Sequence, residues 1–244
     1  PGSGAVVVHG AERVGGMTPA GTDADRDLAL SLVSSRLGWM DVLPAGHGSA
    51  LPWACADVLD AQDRGEDPTA PWREALAATT ARQHRQAPPP AMPAAFVLLW
   101  YLDVLANPLA FAAALGPWVL DVSPANVRFD LQTDQHYPEA ASFATGDLQL
   151  VADPTQRQDL ARRRYLAHAR RFVEGYRPGV KMSSRQRWGA VEDTWVIASR
   201  RAAESCLPPP APAPTRRVSC CFIFTLPGAS TCAMCPRLSP PAGR

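Results

Sequence analysis

Cys220, Cys221, Cys232 and Cys235 fall within sixteen residues in the order Cys-Cys-x10-Cys-x-x-Cys, whereas Cys55 and Cys206 are the only cysteines in the 219 residues before them. Thiols clustered in this way are a redox or metal-binding group, and three chemistries compete for them. Two disulfides are disfavoured in a reducing compartment, and adjacent cysteines bridge poorly to one another. A structural zinc ion wants four thiolates in a tetrahedron; Cys232-x-x-Cys235 is a normal half-site, but Cys220-Cys221 lacks the usual spacing of the other half. A 2Fe-2S cluster also takes four thiolates. If Cys220 and Cys221 lie on an extended strand, their side chains diverge to opposite faces, which suits two irons better than one small ion. Pro236, directly after the last cysteine, matches the Cys-Pro ending of bacterial ferredoxin runs. The cluster accounts for the most features, and on the residues alone zinc and disulfides stay open.

The same stretch resembles a known family. Arg217-Val218-Ser219-Cys220-Cys221-Phe222-Ile223-Phe224, then Leu226-Pro227-Gly228 and Cys232-Ala233-Met234-Cys235-Pro236, looks like the C-terminal signature of the FhuF-like ferric-siderophore reductases. The close likeness is confined to this tail, with a looser similarity at 96–115 and 183–195. The resemblance implies that the four cysteines hold a 2Fe-2S cluster and act through it as the catalytic centre. It also implies a cytoplasmic oxidoreductase, peripheral at the inner face of the cell membrane, that reduces iron(III) in an imported siderophore, of hydroxamate type, to iron(II).

The chemistry is coherent. Siderophores grip iron(III) with hard oxygen donors, and iron(II) prefers softer ligands, so one electron releases the metal. No phosphate loop, dinucleotide fingerprint or Gly-x-Ser-x-Gly elbow is present, so electrons have to come from an external donor such as a ferredoxin, a flavodoxin or a reduced flavin. Two readings of another class remain: a zinc-stabilised binding module, and an iron-sulfur redox sensor. The sensor lacks a helix-turn-helix pattern or a basic recognition stripe.

Candidate substrate contacts are Lys181, Arg185 and Arg187 around Trp188, which could set cations and an aromatic plane against a ferric complex, and Arg216 and Arg217 just before the first ligand. Each has a plainer reading: Trp188 as core, the Arg216-Arg217 pair as solvated charge. Arg162-Arg163-Arg164 with Arg170-Arg171 could touch anionic headgroups or the donor protein, or form a solvated helix face. His47, His84, His136 and His168 show no ligand spacing, and Cys55 and Cys206 read as bystander thiols.

The elements that must position the tail are read from pattern and composition. With 244 residues and 46% hydrophobic residues the chain can bury a sizeable core. A formal charge of +1 argues against a nucleic-acid partner. Residues 1–21 are expected to be a disordered or tag-like extension, and Pro1–Gly16 lacks the basic and apolar regions of a secretory signal. Residues 22–206 are expected to form a mostly helical body. Thr22 or Asp23 opens a helix to about Met40 with Leu28, Leu32 and Leu37 at helical spacing, and Pro71 opens another to Gln86. Met92–Leu120 is apolar apart from Asp103; Asn107-Pro108 is expected to cut it into Ala94–Ala106 and Leu109–Leu115, buried core rather than a membrane span. Strands are expected near 127–151. Two further helices should run from Asp153 to about Gly175, with Leu160, Leu166 and Val173 inward, and from Ser183 or Ser184 to about Ser205, burying Trp188, Val191, Trp195 and Ala198. Residues 207–214 read as a polyproline linker, and 215–244 as the cluster-binding tail with a strand at 221–226 and a turn at Pro227-Gly228. The fold class is α+β: a predominantly helical body, a small β-sheet region and a C-terminal cysteine-rich segment.

Overall fold

The computed structural model describes residues 20–46, 51–144, 148–206, 216–232 and 234–238. The linker expected at 207–214, residues 1–19 of the expected extension and His47 lie outside the described residues. Ala20 and Gly21 join the body: Ala20 bridges to Gln149, and Gly21 N–H donates to Leu148 O at 2.8 Å.

Six α-helices surround a small mixed sheet, in agreement with the expected α+β class. The organising element is α4 (Ala91–Leu115), which packs against α1 (Asp23–Leu37), α3 (Ala70–His84), α5 (Pro154–Gly175) and α6 (Ser184–Cys206). By length and composition α4 could cross a membrane, but 83% of its most apolar window is buried by the rest of the chain. The expected break at Asn107-Pro108 does not occur. Proline in a helix interior removes one N–H and costs about 3 kcal/mol. Here Leu105, Ala106, Asn107, Leu109 and Ala110 are all fully buried, so burial outweighs that cost and α4 runs through. The Asn107 side-chain amide donates to Asp103 O at 3.1 Å and to Asp103 Oδ1 at 3.0 Å, which ties the two turns before the proline together.

The other helices follow their sequence signals closely. Thr22 and Asp25 form the reciprocal cap of α1, with Asp25 N–H donating to Thr22 Oγ1 at 3.2 Å and Thr22 N–H to Asp25 Oδ2 at 2.9 Å. Gly38, at φ 66°, ends α1 in the left-handed conformation that favours glycine. The buried face of α1 is Ala29, Leu30, Val33 and Leu37, with Leu32 partly buried against the core; of the three leucines expected to face inward, Leu28 alone is exposed, at 53%. Asp153 caps α5 by accepting from Gln156 N–H at 2.7 Å, and Ser183 Oγ accepts from Gln186 N–H at 3.1 Å at the start of α6. Along α6, Val191, Trp195 and Ala198 are buried as expected, but Trp188 is 36% exposed.

The sheet is ordered β1 (Asp41–Pro44), β5 (Pro138–Phe143), β4 (Val127–Leu131), β2 (Trp53–Ala54). β4 and β5 form an antiparallel hairpin in the expected region, β1 joins β5 in parallel, and β2 joins β4 antiparallel. A second pair, β3 (Trp118–Val119) with β6 (Gln149–Leu150), is antiparallel. The short helix α2 (Cys55–Asp63) follows β2 directly.

Where α4, α5 and the loop after β3 meet, His168 is 3% exposed. Its Nδ1 lies 2.6 Å from Val122 O, a pure acceptor, so Nδ1 carries the proton and Nε2 accepts from the Tyr101 hydroxyl at 2.9 Å. Burial holds the imidazole down at about 4, with the Val122 carbonyl working the other way. In the unfolded chain a histidine titrates near 6.5. The unfolded state therefore takes up the proton first, and the stability this site contributes is full above about 6.5 and is lost as pH falls toward 4. Denaturation measured at pH 7 and pH 5 should show a loss on the order of 2 kcal/mol between them. The slope should flatten in His168→Gln; an unchanged slope in that variant would assign it to other groups.

Candidate iron-sulfur site

The tail lies along α6 in the opposite direction, held by two side chains on one face of that helix. Asp193, only 8% exposed, accepts from Val218 N–H at 2.9 Å, Ser219 N–H at 2.7 Å and the Ser219 hydroxyl at 2.6 Å. Gln186 brackets the next residue: its Oε1 accepts from Cys220 N–H at 2.9 Å and its Nε2 donates to Cys220 O at 2.6 Å. Between them Gly189 leaves the space, since a Cβ there would stand 2.8 Å from Val218 Cγ1 and 3.3 Å from Ser219 N. Residues three, four and seven apart share a helix face, so Gln186, Gly189 and Asp193 form one docking stripe. On the far side His84 Nδ1 lies 3.2 Å from Pro227 O, a contact in which the ring nitrogen donates.

After Cys221 the chain turns rather than extends. Phe222 adopts a left-handed conformation at φ 61°, and a 3-10 turn covers Ile223–Thr225, with the Thr225 hydroxyl donating to Phe222 O at 2.6 Å. The strand expected at 221–226 is therefore absent. Its apolar residues instead press against the body, Leu226 being 5% exposed and Phe222 and Ile223 packing on the core. The expectation that Cys220 and Cys221 diverge by strand alternation therefore loses its basis, since no strand is present there. The expected turn at Pro227-Gly228 is present: Ala229 N–H donates to Leu226 O at 3.2 Å, and Gly228 has φ 72°. Arg217 N–H then donates to Met234 O at 3.0 Å, which closes the tail on itself.

In this fold Cys232 lies within hydrogen-bonding reach of Cys221 and electrostatic reach of Cys235, and Cys220 within electrostatic reach of Cys235 and Cys232. Cys221 and Cys235 are buried, Cys220 and Cys232 half-buried, and all are free. Burial pushes the Cys232 thiol up, and neighbouring Cys221 and Cys235 add to the rise while Arg217 opposes it. Burial likewise raises Cys220; the Phe222 N–H, 3.4 Å from its Sγ, opposes this, and Cys235 and Cys232 reinforce it. Neighbouring thiols that raise one another in this way, as at Cys220 and Cys232, are donors that a cationic metal centre relieves. A second observation fits the same group: Arg217 Nε is buried without a hydrogen-bond partner among the described residues and lies within electrostatic reach of Cys232. Among the described residues no three Cys, His, Asp or Glu side chains converge as one ion would require. A binuclear cluster instead divides its four thiolates between two irons.

Residues 217–237 match the family model of the FhuF 2Fe-2S C-terminal domain. The tail is similar to FhuF-type 2Fe-2S C-terminal domains. Its cofactor is accordingly a 2Fe-2S cluster, and the zinc and disulfide readings of these cysteines are set aside. No curated protein and no solved structure matches the chain.

The other expected site residues are dispersed. Arg187 and Trp188 line a cleft of only about 170 Å³ with Met182, Ser184, Val173 and Glu174; Lys181 and Arg185 are exposed and stand outside that lining. Arg216 is exposed, whereas Arg217 reaches the cysteines. Much of the basic run on α5 is tied within the protein: Arg162 pairs with Glu192 at 2.8 Å, Arg164 donates to Val119 O and Leu120 O, and Arg171 contacts Asp60 and Asp63. Cys55 is fully buried beside Tyr101, and burial pushes its thiol up to about 12, so it is inert. Gln186, Gly189 and Asp193 are the residues that sequence reading passed over, although they interleave with Arg185, Arg187 and Trp188. The available signal was a lone glycine with polar partners at helical spacing inside a core helix.

Asp193→Ala should release the tail without unfolding the body. Hydrogen exchange should show lost protection at 217–221 with little change in α4, and iron content should fall severalfold. Full retention of iron would show that the stripe is dispensable.

Proposed function

We propose that the protein is a ferric-siderophore reductase whose cluster is held by Cys220, Cys221, Cys232 and Cys235. The observation that carries this reading is the mutual reach of these thiols, within the matched 2Fe-2S domain, with the orphaned guanidinium of Arg217 in reach of Cys232. The reaction is the one-electron reduction of siderophore-bound iron(III) to iron(II), which loses much of its affinity for hard oxygen donors. When bound, the cluster supplies single electrons at a potential set by hydrogen bonding, charge and exposure. The electron comes in turn from an external donor, a ferredoxin, a flavodoxin or a reduced flavin.

The protein's own groups have separable tasks. Asp193 and Gln186 fix the backbone at 218–220, so the first two ligands are held in place before any metal arrives. Phe222 N–H donates to Cys220 Sγ and Arg217 sets positive charge within reach of Cys232, which lowers the cost of negative charge there. Cys221 and Cys235 are kept from water, while half-exposed Cys220 and Cys232 form the edge that faces outward. The free cysteines suit a cytoplasmic setting, and Arg163 and Arg170 remain exposed for contact with the inner face of the membrane or an acidic donor.

Anaerobically purified protein should contain about two iron and two acid-labile sulfide per chain with visible absorption. Once reduced, it should convert ferric trihydroxamates to iron(II) caught by a chelating dye. Cys232→Ser should lose the cluster and Cys55→Ser should keep it; equal loss in both would mean that the ligands are misassigned. A cluster that forms but transfers no electron to any ferric complex would favour the redox-sensor reading. Arg217→Ala should lower the reduction potential by tens of millivolts, because a cation beside the thiolates is removed; spectroelectrochemistry at matched iron content checks this.

A further inference from the structure

A cavity of about 740 Å³ opens between α1, α4 and the C-terminal end of α6. This falls in the range that holds drug-sized molecules, about 300–1,000 Å³. Its lining combines the flat faces of Trp39 and Trp100 with the guanidinium groups of Arg36 and Arg201, and Phe111 and Asp103 of α4 belong to its wall. Trp39 is 36% exposed, and Arg36 and Arg201 are exposed as well.

The cavity shares α6 with the cysteine tail: Asp193, which holds the tail at Val218 and Ser219, lies on the same helix as Arg201, Glu204 and Ser205 of the cavity lining. The cleft at Arg187 and Trp188, about 170 Å³, is too small for an intact siderophore.

We propose that this cavity is the docking site of the ferric chelate, with Trp39 and Trp100 against its apolar periphery and Arg36 and Arg201 facing its iron-bound oxygens. The inference rests on the reductase reading and names the place where its substrate binds. Charge sets which chelates enter. Glu204 is paired with Arg200 at 2.6 Å, and Arg36 and Arg201 present exposed positive charge to the cavity. Complexes that are neutral, such as iron(III) with three hydroxamates, or anionic, such as iron(III) with three catecholates, are favoured over hydroxamates bearing a pendant ammonium group.

Calorimetric titration of the holoprotein with gallium(III) trihydroxamate, which resembles the iron complex but takes no electron, separates docking from chemistry. The parent protein should bind saturably, and Trp39→Ala and Arg201→Ala should each weaken binding about tenfold with unchanged cluster absorbance. Trp188→Ala should bind as the parent does. In turnover the same two variants should raise KM for the ferric chelate while kcat stays close to that of the parent. A gallium complex that does not bind the parent, or that binds both cavity variants normally, overturns the docking site, as does a chelate with a pendant ammonium group that binds more tightly than the neutral one. Binding without reduction of the ferric complex would uphold the docking site and overturn the reductase reading instead.

Discussion

A buried carboxylate on α6 governs how the two parts of this molecule fit together. Asp193 is removed from water, and its carboxylate oxygens accept from two backbone N–H groups and one hydroxyl of the tail. A buried charge left without such partners costs several kcal/mol, so the tail and α6 stabilise each other. Cys220 follows directly on Ser219, and its backbone is gripped in both directions by Gln186. The position of the first cysteine is thereby fixed by a helix of the body, and Gly189 admits the close approach that this requires.

That helix is itself positioned by α4, against which it packs most extensively among the elements of the body. The apolar surface of α4 is the scaffold; the Asn107 side-chain amide N–H donates to Asp103 within the helix, while its Oδ1 is buried without a partner among the described residues. Asp103 is thus held on the one element that touches nearly every other helix. The arrangement places charge-bearing groups of the body beside the tail without loosening the core.

Local signals were readable wherever a side chain closes its own turn. The Thr22 and Asp25 pair, the Asp153 cap and the Pro227-Gly228 turn each involve residues within a few positions of one another, and each appears where the pattern put it. The cysteine spacing was legible for the same reason, because the whole cluster lies within one short segment. What was not legible depends on distant partners. β1 exists because β5 lies beside it, far along the chain, and α2 begins after Ala54 with no side-chain cap to announce it. Pro108 was misread because the burial of its surroundings is a property of the folded body. Phe222 was misread because an apolar run usually means a strand, whereas here its left-handed backbone turns the apolar residues inward. Trp188 occupies a helical position flanking the docking stripe, and helical spacing alone could not tell which face the tail would cover.

One consequence follows from the rigidity of α6. The clamp at Asp193 and the cavity residue Arg201 sit on the same uninterrupted helix, eight residues apart, which at 1.5 Å per residue is about 12 Å of axial rise. The helix therefore works as a ruler: the separation between the anchored tail and the cavity mouth is set by hydrogen-bonded turns, whatever the length of the proline-rich segment that joins them. Insertions in that segment would leave the spacing alone, whereas one residue added within the helix would rotate Arg201 by about 100° away from its present face.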